Sequence, residues 1–152
     1  MDTATHKIEV FVDGSLVYTT REPGAGFGGE AINRAEDAID CFASIRTMPQ
    51  EVMVVMSLNG ANRPIKTRWT TVGLLDCNQV HPREVFADPL MDRAAAIIIA
   101  HNHPSGTLEP SSEDLALTKR LQNAGELLGI RVLDHLIVSA SGFISLKQRG
   151  HM

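Results

Sequence analysis

Seven consecutive apolar residues, Ala94 to Ala100 (AAAIIIA), stop abruptly at His101-Asn102-His103, and this junction constrains the chain more than any other feature. A run this short, β-branched at its centre and bounded by polar residues, reads as a buried strand, which needs neighbouring strands and a covering layer on each face. It is far too short to span a bilayer. Side chains alternate along an extended backbone, so the two histidines, at i and i+2, point the same way where the strand runs out. The stretch that follows, HNHPSGTLEP, is too rich in Pro, Gly and polar residues for regular structure and reads as a loop. Beyond it, Leu117, Leu121, Ala124 and Leu128 recur at helical spacing between Ser111 and Leu128, and Gly129 suits the left-handed position that stops a helix. RVLDHLIV and GFISL then close the chain as two strands.

The rest of the chain supplies the neighbours. Residues 7 to 20 alternate Ile8, Val10 and Val12 against polar residues and turn at Asp13-Gly14, the pattern of a β-hairpin. REPGAGFGG is a glycine-rich loop, and Ile32, Ala35, Ala38, Ile39, Phe42 and Ile45 predict an amphipathic helix from Ala31 to Arg46. Val52 to Leu58, Asn59-Gly60 and RPIKTRWTTVGLL read as a strand pair. Asp88-Pro89 resembles an N-cap with proline at the first helical position, predicting a helix over Pro89 to Arg93, with a turn beginning at Pro82. The expected organisation is an N-terminal hairpin and glycine-rich loop over residues 1–29 and a main domain over residues 30–152.

Composition limits the function classes. A chain of 152 residues buries roughly two thirds of its unfolded surface, so it needs neither disulfides nor a metal to fold, and any metal is suspected of chemistry. Cys41 and Cys77 have no metal-like spacing and fit the free thiols of a reducing compartment. Lys and Arg total 14 against 18 Asp and Glu, a net charge of −4, without the basic excess of a nucleic-acid binder. The N-terminus shows no secretory signal and no segment is membranous, so a cytoplasmic protein is expected.

The chemistry gathers around the histidines. Ser111 and Asp114 form an S-x-x-D capping box that opens the long helix and fixes a carboxylate in its first turn. If the loop folds back to the strand end, His101, His103 and Asp114 offer two nitrogens and one oxygen to one cation and leave a position open. Three protein ligands plus water is the arrangement of catalytic zinc, whereas structural zinc is closed by four residues. Zinc is the leading metal, one ion per chain, although such a donor set also accepts Fe, Mn or Co. The bland alternative, polar loop histidines beside an ordinary cap, does not account for the joint pattern, and capping is compatible with ligation.

The segment HNHPSGTLEPSSED, His101 to Asp114, resembles the JAMM (MPN+) metal motif, in which H-x-H is followed by seven residues, Ser, two residues and Asp. VHPREVF at 80–86, AAAIIIAHNHPSG at 94–106, LTKRL at 117–121 and LDHLIV at 133–138 are similar to the JAB domain of RadC-like proteins. That resemblance covers roughly residues 30 to 149. It implies an α/β fold of the JAB/MPN-like kind, a mixed β-sheet flanked by helices with cytidine-deaminase-like layering, and a zinc-dependent peptidase or isopeptidase acting on a peptide or an isopeptide-linked protein. It further implies an upstream glutamate as general base, matched among Glu30, Glu36, Glu51 and Glu84 by Glu51, and a serine, matched by Ser111, that stabilises the oxyanion. Two other functions follow from the same family: a DNA-repair-associated or nuclease-like factor, and a non-catalytic partner-binding scaffold. Full-length members carry a helical DNA-binding-like segment, whereas the residues before Glu51 read here as a hairpin and one helix. The intact ligand set argues against a scaffold. Asn102 and Ser105 are expected to shape the loop.

Remaining features carry less. Gly24, Gly26 and Gly29 satisfy G-x-G-x-x-G, but no βαβ unit surrounds them, and a flexible loop is the better account. His6, His81, His135 and His151 lack a paired spacing, and of these His135 is the one placed to support the site. Trp69 beside Lys66 and Arg68 reads as a strand-packing aromatic sooner than a nucleic-acid stacking platform.

Overall fold

The apolar run becomes the middle strand of a five-stranded sheet. The computed structural model describes residues 7–12, 15–21, 29–73 and 80–152. In chain order the elements are β1 (Lys7–Val12), β2 (Ser15–Arg21), α1 (Ala35–Ala38), a 3-10 helix (Ile39–Ile45), β3 (Val52–Leu58), β4 (Pro64–Val72), α2 (Pro82–Met91), β5 (Ala96–Asn102), α3 (Ser112–Leu128), β6 (Arg131–Ser139) and β7 (Gly142–Ser145). β1 and β2 pair antiparallel as a sheet of their own. The Asp13-Gly14 turn, Gly24, Gly26, His6 and Cys77 lie outside the described residues.

The larger sheet has the order β4-β3-β5-β6-β7, antiparallel except for the β5–β6 pair that α3 connects. Alternation divides its side chains between two cores. Val52, Val54, Met56, Ile98, Ala100, Leu136 and Val138 face α1 and the 3-10 helix, where Phe42 and Ile45 are fully buried. Met53, Val55, Ile97 and Ile99 face α2 and α3, meeting Val85, Phe86, Leu117 and Leu121. Every residue of β3 and β5 is buried, and each fully buried Ile, Val or Leu contributes about 1.5–3 kcal/mol. Helices on both faces of a mixed sheet match the predicted α/β class.

Three local expectations need correction. The predicted helix over Ala31–Arg46 is a single α turn followed by a 3-10 segment. Ile39, Phe42 and Ile45 are spaced by three, which aligns them along one side of a helix with three residues per turn and suits the 3-10 form. The second correction concerns α2, which starts at Pro82 with His81 as N-cap and carries Pro89 inside it. Between two prolines that could each begin a helix, burial of Val85 and Phe86 favours the earlier start. The third is the turn after β3: Asn59 hydrogen-bonds the amides of Ala61 and Arg63 through Oδ1, and Asn62, not Gly60, adopts positive φ. α3 matches its expectation, with Ser111 as N-cap and Gly129 left-handed at its end. Near that end a side chain at Gly125 would meet the Ile130 carbonyl at 2.4 Å, so only glycine lets the chain turn back into β6 this tightly. Among the described residues, no helix is long and apolar enough to cross a membrane.

Candidate metal centre

β3 and β5 are antiparallel with Met53 opposite His101, which brings the start of one strand to the end of the other. α3 follows β5 and returns alongside the sheet, so its first turn opens at this same rim. Four side chains converge there: Glu51, His101, His103 and Asp114, whose donor atoms all lie within 4.8 Å of one another. The Nε2 atoms of His101 and His103 are 3.0 Å apart. Asp114 reaches both, Oδ1 at 3.1 Å from His101 Nε2 and Oδ2 at 3.3 Å from His103 Nε2. Glu51 stands further off, its Oε1 at 3.8 Å from His101 Nε2. His101 and Asp114 are almost wholly enclosed, whereas His103 and Glu51 keep 12% and 17% of their side-chain exposure and open onto a cleft.

Each side chain is held from behind. Asp114 accepts from the Ser111 amide at 2.8 Å while the Ser111 hydroxyl accepts from the Asp114 amide at 3.1 Å, the reciprocal capping box that the sequence foretold. His103 Nδ1 lies 3.0 Å from the Thr107 carbonyl, and His101 Nδ1 lies 2.7 Å from Nε2 of His135, at Ile99's level on the adjacent strand. Asn102 points to the other face and clamps the segment carrying Glu51. Its Oδ1 accepts from the Val52 amide at 2.7 Å, and its Nδ2 donates to the Met48 and Gln50 carbonyls.

The electrostatics follow from burial and contact. Burial acts to raise the Asp114 carboxyl, but its contacts with His101 and His103 and the Ser111 amide prevail, holding it far below the usual carboxylate range. Burial pushes Glu51 up against the pull of both histidines. The hydrogen bond to Asp114 raises His103 despite desolvation, and complete burial drives His135 down to about 3.

This donor set fits a cation. Two imidazole nitrogens and a carboxylate present lone pairs to one point, and among the described residues no lysine or arginine lines the adjoining cleft to neutralise them. That cleft, about 460 Å³, is lined by Glu51, His103, Pro104, Ser105, Ser111 and Asp114 among others. A hollow of about 490 Å³ on the opposite face, against Ile98, Leu133 and Leu136, has comparable volume but no metal-type cluster among the described residues.

Comparison with known proteins agrees with the geometry: a family model described as the RadC-like JAB domain matches residues 32–151. The chain belongs to the RadC-like JAB family. Its relatives include a UPF0758 protein of Methanospirillum hungatei, 55% identical over 103 residues, covering 68% of this chain and 46% of the relative. Another, from Shouchella clausii, is 47% identical over 120 residues, covering 78% of this chain and 52% of the relative. A third, from Moorella thermoacetica, is 50% identical over 105 residues, with 69% and 46% covered. This RadC-like chain thus spans about half the length of the curated relatives it matches.

Within this RadC-like JAB domain, Glu51, His103, Ser111 and Asp114 line the cleft, His101 is buried against them, and Ser111 is engaged as the helix cap. The other described histidines divide. His135 backs His101, whereas His81 caps α2 and His151 is exposed. Sequence reading missed Thr118, whose hydroxyl touches His135, and the Thr107 carbonyl. Thr118 had one usable signal, its position four residues after Asp114 and so on the same face of α3.

Proposed function

We propose that this chain is a zinc-dependent hydrolase that cleaves a peptide or isopeptide bond. The observation that carries the reading is the stand-off geometry: His101, His103 and Asp114 make mutual contacts near 3 Å, while Glu51 is set back at 3.8 Å on the cleft side. Three close ligands and one displaced carboxylate leave room for a water and a base beside it. Zinc held by His101, His103 and Asp114 would activate that water near neutral pH and polarise the scissile carbonyl. Glu51 takes the water's proton and passes it to the leaving amine, a role that its raised carboxyl suits. Ser111 accepts from an amide at rest, and its hydroxyl proton, directed towards Glu113, would turn to the oxyanion. The cleft lining includes Glu51, Glu109, Glu113 and Asp114 and, among the described residues, no lysine or arginine, which favours a peptide over a phosphate backbone.

The test is Glu51→Gln assayed with added zinc against a panel of peptides and isopeptide-linked substrates. A loss of about 10²–10⁴-fold in kcat with zinc binding retained is expected of a general base. Wild type that hydrolyses no member of the panel faster than the variant would overturn the reading.

A further inference from the structure

We propose that Thr118 and His135 are positioning residues that hold His101 in the one neutral tautomer able to present Nε2 to a metal ion. The proposal rests on the metal-centre reading above, and goes beyond it by assigning work to two residues that touch neither substrate nor metal. The argument is one of proton counting. Thr118 Oγ1 lies 2.7 Å from the Asp114 carbonyl oxygen and 2.7 Å from His135 Nδ1. A carbonyl only accepts, so the single hydroxyl proton is committed to Asp114. Towards His135 the hydroxyl can then only accept, which puts a proton on His135 Nδ1.

The His135 ring is fully buried. Its neighbour Asp134 does not serve the ring: that carboxylate accepts from the Ser145 hydroxyl, the Lys147 amide and the His135 backbone amide. A neutral imidazole carries one proton, and with that proton at Nδ1 the other nitrogen, Nε2, keeps its lone pair. That lone pair accepts from His101 Nδ1 at 2.7 Å, which leaves His101 Nε2 bare and aimed at His103 and Asp114. His103 reaches the same state more simply, by donating from Nδ1 to the Thr107 carbonyl. The relay from the Asp114 carbonyl through Thr118 and His135 to His101 therefore joins two ligands, on α3 and β5, by way of β6.

Orienting partners of this kind are generally worth about 10–100-fold in metal affinity. The experiment measures Zn²⁺ affinity by chelator competition for wild type, Thr118→Val and Thr118→Ser, with nitrogen-15 NMR of the histidine rings. Support would be a 10–100-fold weaker affinity in the valine variant, recovery in the serine variant, and a wild-type His135 protonated at Nδ1. Equal affinities in correctly folded wild type and Thr118→Val, or a wild-type His135 protonated at Nε2, overturn the proposal. If wild type binds no Zn²⁺, the metal-centre reading itself falls, a result distinct from the other two. Should Thr118→Val not fold, His135→Gln and His135→Leu take its place: glutamine can still accept from His101, so retained affinity with Gln and loss with Leu supports the relay, and equal affinities overturn it.

Discussion

Asn102 shows how much of the site depends on a residue that performs no chemistry. Its buried amide satisfies the Val52 amide and the Met48 and Gln50 carbonyls, which bracket Glu51 on both sides. Asn102→Ala leaves the buried Val52 amide unpaired and removes the part-buried bonds to the Met48 and Gln50 carbonyls; a buried unsatisfied group costs about 1–3 kcal/mol, and the two part-buried carbonyls cost less because water can reach them. The expected outcome is a loss of roughly 2–4 kcal/mol in urea unfolding, together with a lower kcat in the fraction that remains folded. A variant as stable as wild type would show that the clamp does not hold Glu51. The sequence placed Asn102 in a loop and assigned it a shaping role, but its partners lie about fifty residues away. Contacts of that separation exist only once β3 and β5 have paired. Most of the candidate site was legible for the opposite reason: His101, His103, Ser111 and Asp114 fall within fourteen residues, where strand alternation and helix capping fix direction locally.

At the scale of elements, legibility followed the strength of the end signals. α3 has a capping box at its start and glycine at its end, and its limits were readable. α2 offered two prolines as possible first residues, and only the packing of Val85 and Phe86 decided between them. Its far end is tied to edge strand β4 by Asp92, which pairs with both terminal nitrogens of Arg68, one at 2.8 Å. That pairing, before any other influence, holds the Asp92 carboxyl below its ordinary value. A depressed folded-state value means that the unfolded chain binds the proton more readily, so the contribution is present above about pH 4 and is lost as pH falls through the folded value. Asp92→Asn is expected to lower stability at pH 7 by about 1–2 kcal/mol. Its unfolding free energy should also fall less steeply than that of wild type below pH 4. Parallel slopes in acid urea titrations would refute the assignment.

For the whole molecule, the question is whether the metal centre holds the fold together or is built on a fold that already stands. Neither core includes a site residue: one joins β3, β5 and β6 to α1 and the 3-10 helix, the other joins β3 and β5 to α2 and α3. The four site residues sit at one rim, contributed by the start of β3, the end of β5 with the loop beyond, and the start of α3. A cation there pins these three segments together in the folded state alone. Its effect on stability is therefore linkage, RT ln(1 + [L]/Kd), or about 2.7 kcal/mol with free zinc at a hundred times its Kd. Chelator-treated protein should keep its far-ultraviolet circular dichroism and a cooperative urea transition, and zinc should move that transition to higher urea in proportion to log concentration. His103→Ala is the informative variant, because His103 is the more exposed histidine ligand and its loss disturbs the core little. It should match chelator-treated wild type without zinc and gain almost nothing on zinc addition. Loss of cooperative unfolding on chelation would instead make the metal structural, and the size argument drawn from the 152-residue chain would then be wrong.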